Sequence, residues 1–214
     1  EGAFEAGSFQ EFIVTYKAGH FGIDDTGSIK VVHRFASDMG RPQFDSPTTE
    51  NYTTVEASNG AVLQVEYDIK RNIRPWDKTL HIKVVRGFLR KGDEIIIRFG
   101  DRRQGSPGIR IQTFCEHTFE FRVLVDAIAT YNYVELPKQP IISIVPGAPT
   151  LYKGIIPTQQ RQGQMFKLRL KGEDRWGNPS NLCNATFLLK SSSAIDGLPE
   201  TVTFIEGEYT VTIE

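Results

Sequence analysis

The chain lacks the features that assign many sequences to a class at once. An excess of either charge is missing: 25 lysines and arginines stand against 26 aspartates and glutamates in 214 residues, a formal net charge of −1. No overall field draws nucleic acid or an anionic membrane surface. Cysteine is scarce. The two present, Cys115 and Cys183, lie too far apart in sequence to suggest a disulfide framework and read as small buried apolar side chains. No apolar run approaches the roughly 20 residues of a membrane-crossing helix, so membrane insertion is not expected. The first residue is Glu1 rather than methionine. That leaves open a leader already removed, and with it whether the chain is cytoplasmic or exported.

Apolar residues at helical spacing are also missing, and alternation stands in their place. Phe12, Val14 and Tyr16 share one face of a short run, as do Ile29, Val31, His33 and Phe35. Leu63, Val65, Tyr67 and Ile69 repeat the scheme, followed by Leu80, Ile82 and Val84, then Ile95, Ile97 and Phe99. The longest run, Thr113 to Val125, puts Cys115, His117, Phe119, Phe121, Val123 and Val125 on one side. These are strands rich in β-branched and aromatic residues, separated by turn-forming pairs such as Asn59-Gly60.

Prolines at 137, 140, 146 and 149 interrupt any ladder, because each lacks an amide donor. The pattern predicts an all-β chain: an antiparallel β-sandwich over residues 1–147, then a smaller immunoglobulin-like β-sandwich module over 148–214. About five strands are predicted in the second module, where an immunoglobulin-like sandwich has about seven. The module therefore reads as unfinished, and the polypeptide is expected to continue past Glu214.

The stretch AGHFGIDDTGSIKVVHRF, residues 18–35, gathers two histidines about adjacent aspartates. His33 falls in the apolar register of its strand, which leaves His20 as the accessible imidazole. Asp24 and Asp25 precede Thr26-Gly27, ordinary turn chemistry. A turn feeding a strand, an interdomain polar contact and a metal site are the three readings, in that order of preference. Cys115 and His117, two apart, could chelate only if further ligands arrived from a neighbour.

Residues 100–108, GDRRQGSPG, are the most suggestive polar segment. Arg102 and Arg103 could clamp a carboxylate or phosphate in bidentate fashion, with Arg74 and Trp76 joining from the other long loop, KRNIRPWDK. The segment lacks the Gly-Lys-Ser/Thr ending of a phosphate loop. It reads as a sandwich-edge loop, with an interdomain or ligand-anchoring role as the second option. No nucleophile elbow or Ser-His-Asp spacing is present, so no catalytic, metal or cofactor-binding residue is named and no cofactor is expected.

Several blocks carry a resemblance when taken together. GIDDTGSIKVVHRFASDMGRPQFDSPTTENYTTVEAS, RPWDKTLHIKVV, FGDRRQGSPGIRIQTFCEHTFEFRVLVD and IVPGAP resemble the N-terminal β-sandwich region of an uncharacterised bacterial family of unknown function. In that family a C-terminal domain is similar to PHP-type metal-dependent phosphoesterases and amidohydrolases. DRWGNPSN is similar to a turn of bacterial immunoglobulin-like repeats. The resemblance implies a noncatalytic accessory region whose partner is the catalytic domain of the same polypeptide, faced by Asp24, Asp25, Arg102 and Arg103. The alternative is a carbohydrate- or surface-binding module, with Tyr52, Trp76, Tyr131, Tyr133 and Trp176 as exposed stacking platforms for a glycan.

Overall fold

Alternation becomes strand wherever one face finds a core to cover it. The computed structural model describes residues 2–206 and 208–213, and every regular element among them is a strand. The chain divides into two compact units between Ile144 and Val145.

In the first unit the strands are β1 (Ala3–Glu5), β2 (Phe9–Gln10), β3 (Phe12–Lys17), β4 (Ser28–His33), β5 (Thr53–Ala57), β6 (Val62–Asp68), β7 (Lys78–Arg86), β8 (Glu94–Phe99), β9 (Ile109–Arg110), β10 (Glu116–Glu120), β11 (Arg122–Asp126) and β12 (Val134–Glu135), with β13 (Ile141–Val145) running into the division. They form a five-stranded sheet ordered β12-β11-β4-β7-β6 and a three-stranded sheet ordered β3-β8-β5. Both are antiparallel. A further set, β1-β13-β10, and the pair β2-β9 complete the unit.

β3 shows the alternation in pure form: Phe12, Val14 and Tyr16 are buried while Ile13, Thr15 and Lys17 are exposed. In register beside them lie Phe99, Ile97 and Ile95 of β8. Ile29, Val31, Leu80, Ile82 and Val84 come from the five-stranded sheet and join the same hydrophobic cluster, as a sandwich requires. Burying each such side chain contributes roughly 1.5–3 kcal/mol. Aromatic rings fill the centre, with centroids 5.0 Å apart for Phe12–Phe99 and 5.1 Å for Phe119–Phe121.

The long run from Thr113 to Val125 is not one strand. It breaks at Phe121: β10 pairs with β13, whereas β11 pairs with β4 and β12. One extended segment thus serves two sheets, a recognised way to turn a corner. The ladder also shifts register between Glu116 and Phe119. Such a shift reverses the side-chain phase beyond it. His117 is therefore exposed and Cys115 only half-buried, against the expectation of a core pair. Phe35 is likewise exposed, because β4 ends at His33 and the phase of the strand ends with it.

In the second unit, β14 (Leu151–Ile155), β15 (Phe166–Glu173) and β18 (Glu208–Ile213) form one antiparallel sheet, and β16 (Thr186–Leu188) pairs with β17 (Thr201–Thr203). Cys183, Val202 and Phe204 are its buried cluster, packed by Leu170, Phe187 and Leu189. The Asp174–Asn178 turn is held from within. Asp174 Oδ1 accepts the amides of Trp176 and Asn178, each at 2.9 Å, and Oδ2 accepts the Gly147 amide at 3.2 Å. Gly177 supplies the left-handed residue at φ 88°.

Candidate functional site

Residues 24–27 form a turn. The Gly27 amide donates to the Asp24 carbonyl at 2.9 Å, and the Asp25 amide to Asp24 Oδ1 at 2.9 Å. Thr26 takes φ 70°. Asp24 and Asp25 are exposed, as is His20, whose ring meets Phe21 edge-on. His33 does point into the core, 4% exposed, among Tyr67, Phe119 and Phe121. Burial, reinforced by the charge of Lys78, pushes its pKa down to about 3. Among the described residues no three or more His, Cys, Asp or Glu side chains gather as metal ligands.

The arginine loop is closed upon itself. Gly100, at φ 68°, begins it where an added Cβ would lie 2.2 Å from the Ile109 amide nitrogen. Arg102 donates from its side chain to the carbonyls of Phe9 at 2.6 Å and Pro107 at 3.0 Å, and from its amide to Glu11 at 2.7 Å. Arg103 grips Asp101 through Nε and its terminal nitrogen, and reaches Glu56 at 3.0 Å and Thr54 at 3.2 Å. Asp101 is fully buried and accepts Thr54 Oγ1 as well. Those Arg103 hydrogen bonds hold its carboxyl well below the usual carboxylate range. Both forks are therefore occupied by the protein's own oxygens.

Trp76 is a rivet rather than a platform. Two guanidinium groups lie over its ring, Arg122 at 4.0 Å and Arg34 at 5.2 Å. Glu120 and Glu135 pair with Arg122, and Glu116 pairs with Arg34. A sugar ring stacking on a face these arginines cover would have to displace them. Arg74 is exposed, stacks on Phe35 at 5.0 Å and pairs with Asp77 at 3.6 Å. Tyr52, expected as an exposed platform, is only 8% exposed, because it sits under the loop whose Asp101 amide donates to the Tyr52 carbonyl. Tyr131 and Trp176 remain exposed, the latter beneath Arg175 at 4.4 Å.

Two further features lay outside the sequence expectations. The first is a cleft of about 790 Å³ beside β3. β3 ends its sheet, so its outer edge has no strand neighbour among the described residues. Phe4, Val14, Tyr16, Val123, Leu136 and Ile142 line the cleft, and residues 137–140, with a proline at each end, form part of its wall. The second is the outer face of the five-stranded sheet, where Ser28, Lys30, His81 and Tyr133 come together. Tyr133 OH lies 2.7 Å from Ser28 Oγ and 3.3 Å from His81 Nε2, and Lys30 Nζ sits 4.0 Å from the Tyr133 ring centre.

No family model, curated protein or solved structure matches the chain.

Proposed function

We propose that this chain is a noncatalytic accessory region of a larger metal-dependent hydrolase. Two β-sandwich modules, the second immunoglobulin-like, orient its catalytic domain. The cleft beside β3 is the observation that supports the reading: apolar walls next to an open strand edge suit an extended protein segment that adds its own amides to the ladder. The sequence blocks that resemble the front part of a hydrolase family supply the choice of partner. Asp24 and Asp25, exposed at their turn, remain available for contact with that domain, whereas Arg102 and Arg103 are already engaged.

Ile13 tests the proposal because it lines the cleft and is 48% exposed, so the fold tolerates its replacement. In the complete polypeptide, hydrogen exchange should find the β3 amides protected. Ile13→Asp should release that protection and lower turnover severalfold. Unprotected β3 amides in the parent protein, or turnover and protection both unchanged by the substitution, would count against docking at this edge.

A further inference from the structure

The outer face of the five-stranded sheet is a polar grid. Cross-strand register places Lys30 beside His81 and His81 beside Glu66, while the next row sets Ser28 beside Lys83 and Lys83 beside Gln64. Directly opposed residues on neighbouring strands share a face, and residues two apart on one strand do so as well. All six therefore point away from the core that receives Ile29, Ile82 and Val65. Two loop segments partly cover this grid. Tyr133 reaches Ser28 and His81, and the Arg71 carbonyl accepts Lys30 Nζ at 3.4 Å.

The charges on this grid do not balance. Arg71 pairs with Glu66, which also accepts Gln64 at 2.7 Å. The Asp126 carboxylate, opposite Ser28 in the register, is turned into its own loop by the amides of Thr130 at 2.9 Å and Tyr131 at 2.7 Å. Lys30 and Lys83 are both half-buried, and neither has a carboxylate partner among the described residues. His81 lies between them in the register, 9% exposed. Burial, then Arg71, with smaller contributions from Lys30 and Lys83, pushes its pKa down to about 4 against the pull of Glu66. Burial and Arg71 lower Lys30 in the same way. Partly desolvated cations without a counter-charge are an arrangement that an anion relieves.

We propose that this face binds an oxyanion, a phosphate or sulfate group, between Lys30, His81 and Lys83. The two ammonium groups supply charge, and the imidazole supplies a donor whose protonation the anion favours. The Tyr133 and Ser28 hydroxyls hold the imidazole side of the site. Binding and proton uptake at His81 are then linked, and each unit by which the ligand raises the imidazole pKa means tenfold tighter binding to the protonated form. The site is on a sheet face rather than in the cleft beside β3, so the proposal stands apart from the docking reading.

The chain has four histidines, so the His81 ring can be followed by NMR and assigned with His81→Gln. Titrations at one ionic strength, in chloride, inorganic phosphate or sulfate, should show the His81 pKa rising by at least one unit in the oxyanions over chloride. Sulfate should raise it most, because it keeps two charges through the acidic range. Dextran sulfate forms a separate arm: a response to it alone assigns the group to a polymer, and a response to the inorganic ions assigns it to a small ligand. Lys30→Met with Lys83→Met should abolish the shift in a chain whose other amide resonances are unmoved. The same pKa in every salt and in dextran sulfate, or a shift that persists in the double variant, overturns the proposal.

Discussion

Two groups of cations on the first unit look alike in sequence and differ in what they can do. The arginines of the 100–108 loop are engaged by the protein's own oxygens: Arg103 holds a buried carboxylate, and Arg102 ties the loop to residues 9–11 and closes it on the Pro107 carbonyl. The lysines on the outer sheet face were unremarkable in the alternation, yet neither has a carboxylate partner among the described residues. The lesson is that a cation held by several short bonds, as Arg103 is, has less to offer a ligand than one held by a single long one, as Lys30 Nζ is at 3.4 Å from the Arg71 carbonyl among the described residues. The same sheet offers a second comparison, between His33 on its inner face and His81 on its outer one. Burial is the largest influence on both, but His33 feels one cation, Lys78, and His81 feels three.

Acid should produce the largest effect. His33 stays neutral in the folded protein down to about pH 3, whereas the unfolded chain protonates it near its ordinary value of 6.5. The folded pKa is lowered, so stability is complete above about pH 6.5 and declines as pH falls toward 3. The loss from this one residue is on the order of 4 kcal/mol. Urea unfolding between pH 7 and 4 should show that slope, and His33→Phe, which suits the surrounding rings, should flatten it. An unaltered slope would mean that His33 is not the group responsible.

A smaller effect is expected at the arginine loop. Asp101→Ala removes the acceptor for Arg103 and for Thr54 Oγ1, and the buried hydrogen bonds lost should cost about 2–3 kcal/mol in chemical denaturation. The sheet face should respond least. Lys83→Met removes a half-buried charge with no ion pair among the described residues, so stability should change by less than about 0.5 kcal/mol or rise slightly. If Lys83→Met proved as costly as Asp101→Ala, the distinction between engaged and available cations would collapse.

Strands were legible wherever alternation met a core partner nearby in the ladder. Ile95, Ile97 and Phe99 lie on one strand, Glu94–Phe99, and the second unit has five strands, β14 to β18, among the described residues. The break at Phe121 was not legible, because the residues on either side keep an unbroken apolar rhythm while their hydrogen-bond partners change sheet. The fate of the arginines was also hidden. Arg102 meets Phe9 and Glu11, and Arg103 meets Thr54 and Glu56, contacts made by chain segments far apart in sequence. On β4, Ser28 and Lys30 alternate with the core residues Ile29 and Val31, and the loop bearing Tyr133, with the Arg71 carbonyl, turns that row into a partly enclosed surface. The signal that could have exposed it was the pairing of Lys30 with His81 across adjacent strands, which requires the register.

Phe121 sits where one extended segment leaves its first sheet and enters the next, 1% exposed and in ring contact with Phe12, Phe99, Phe119 and His33. A covalent strut of this kind couples the two sheets, so that sliding or peeling of one loads the other. The two are expected to lose their order together, with a displacement of β10 passed through one residue to β11 and to β4 beside it.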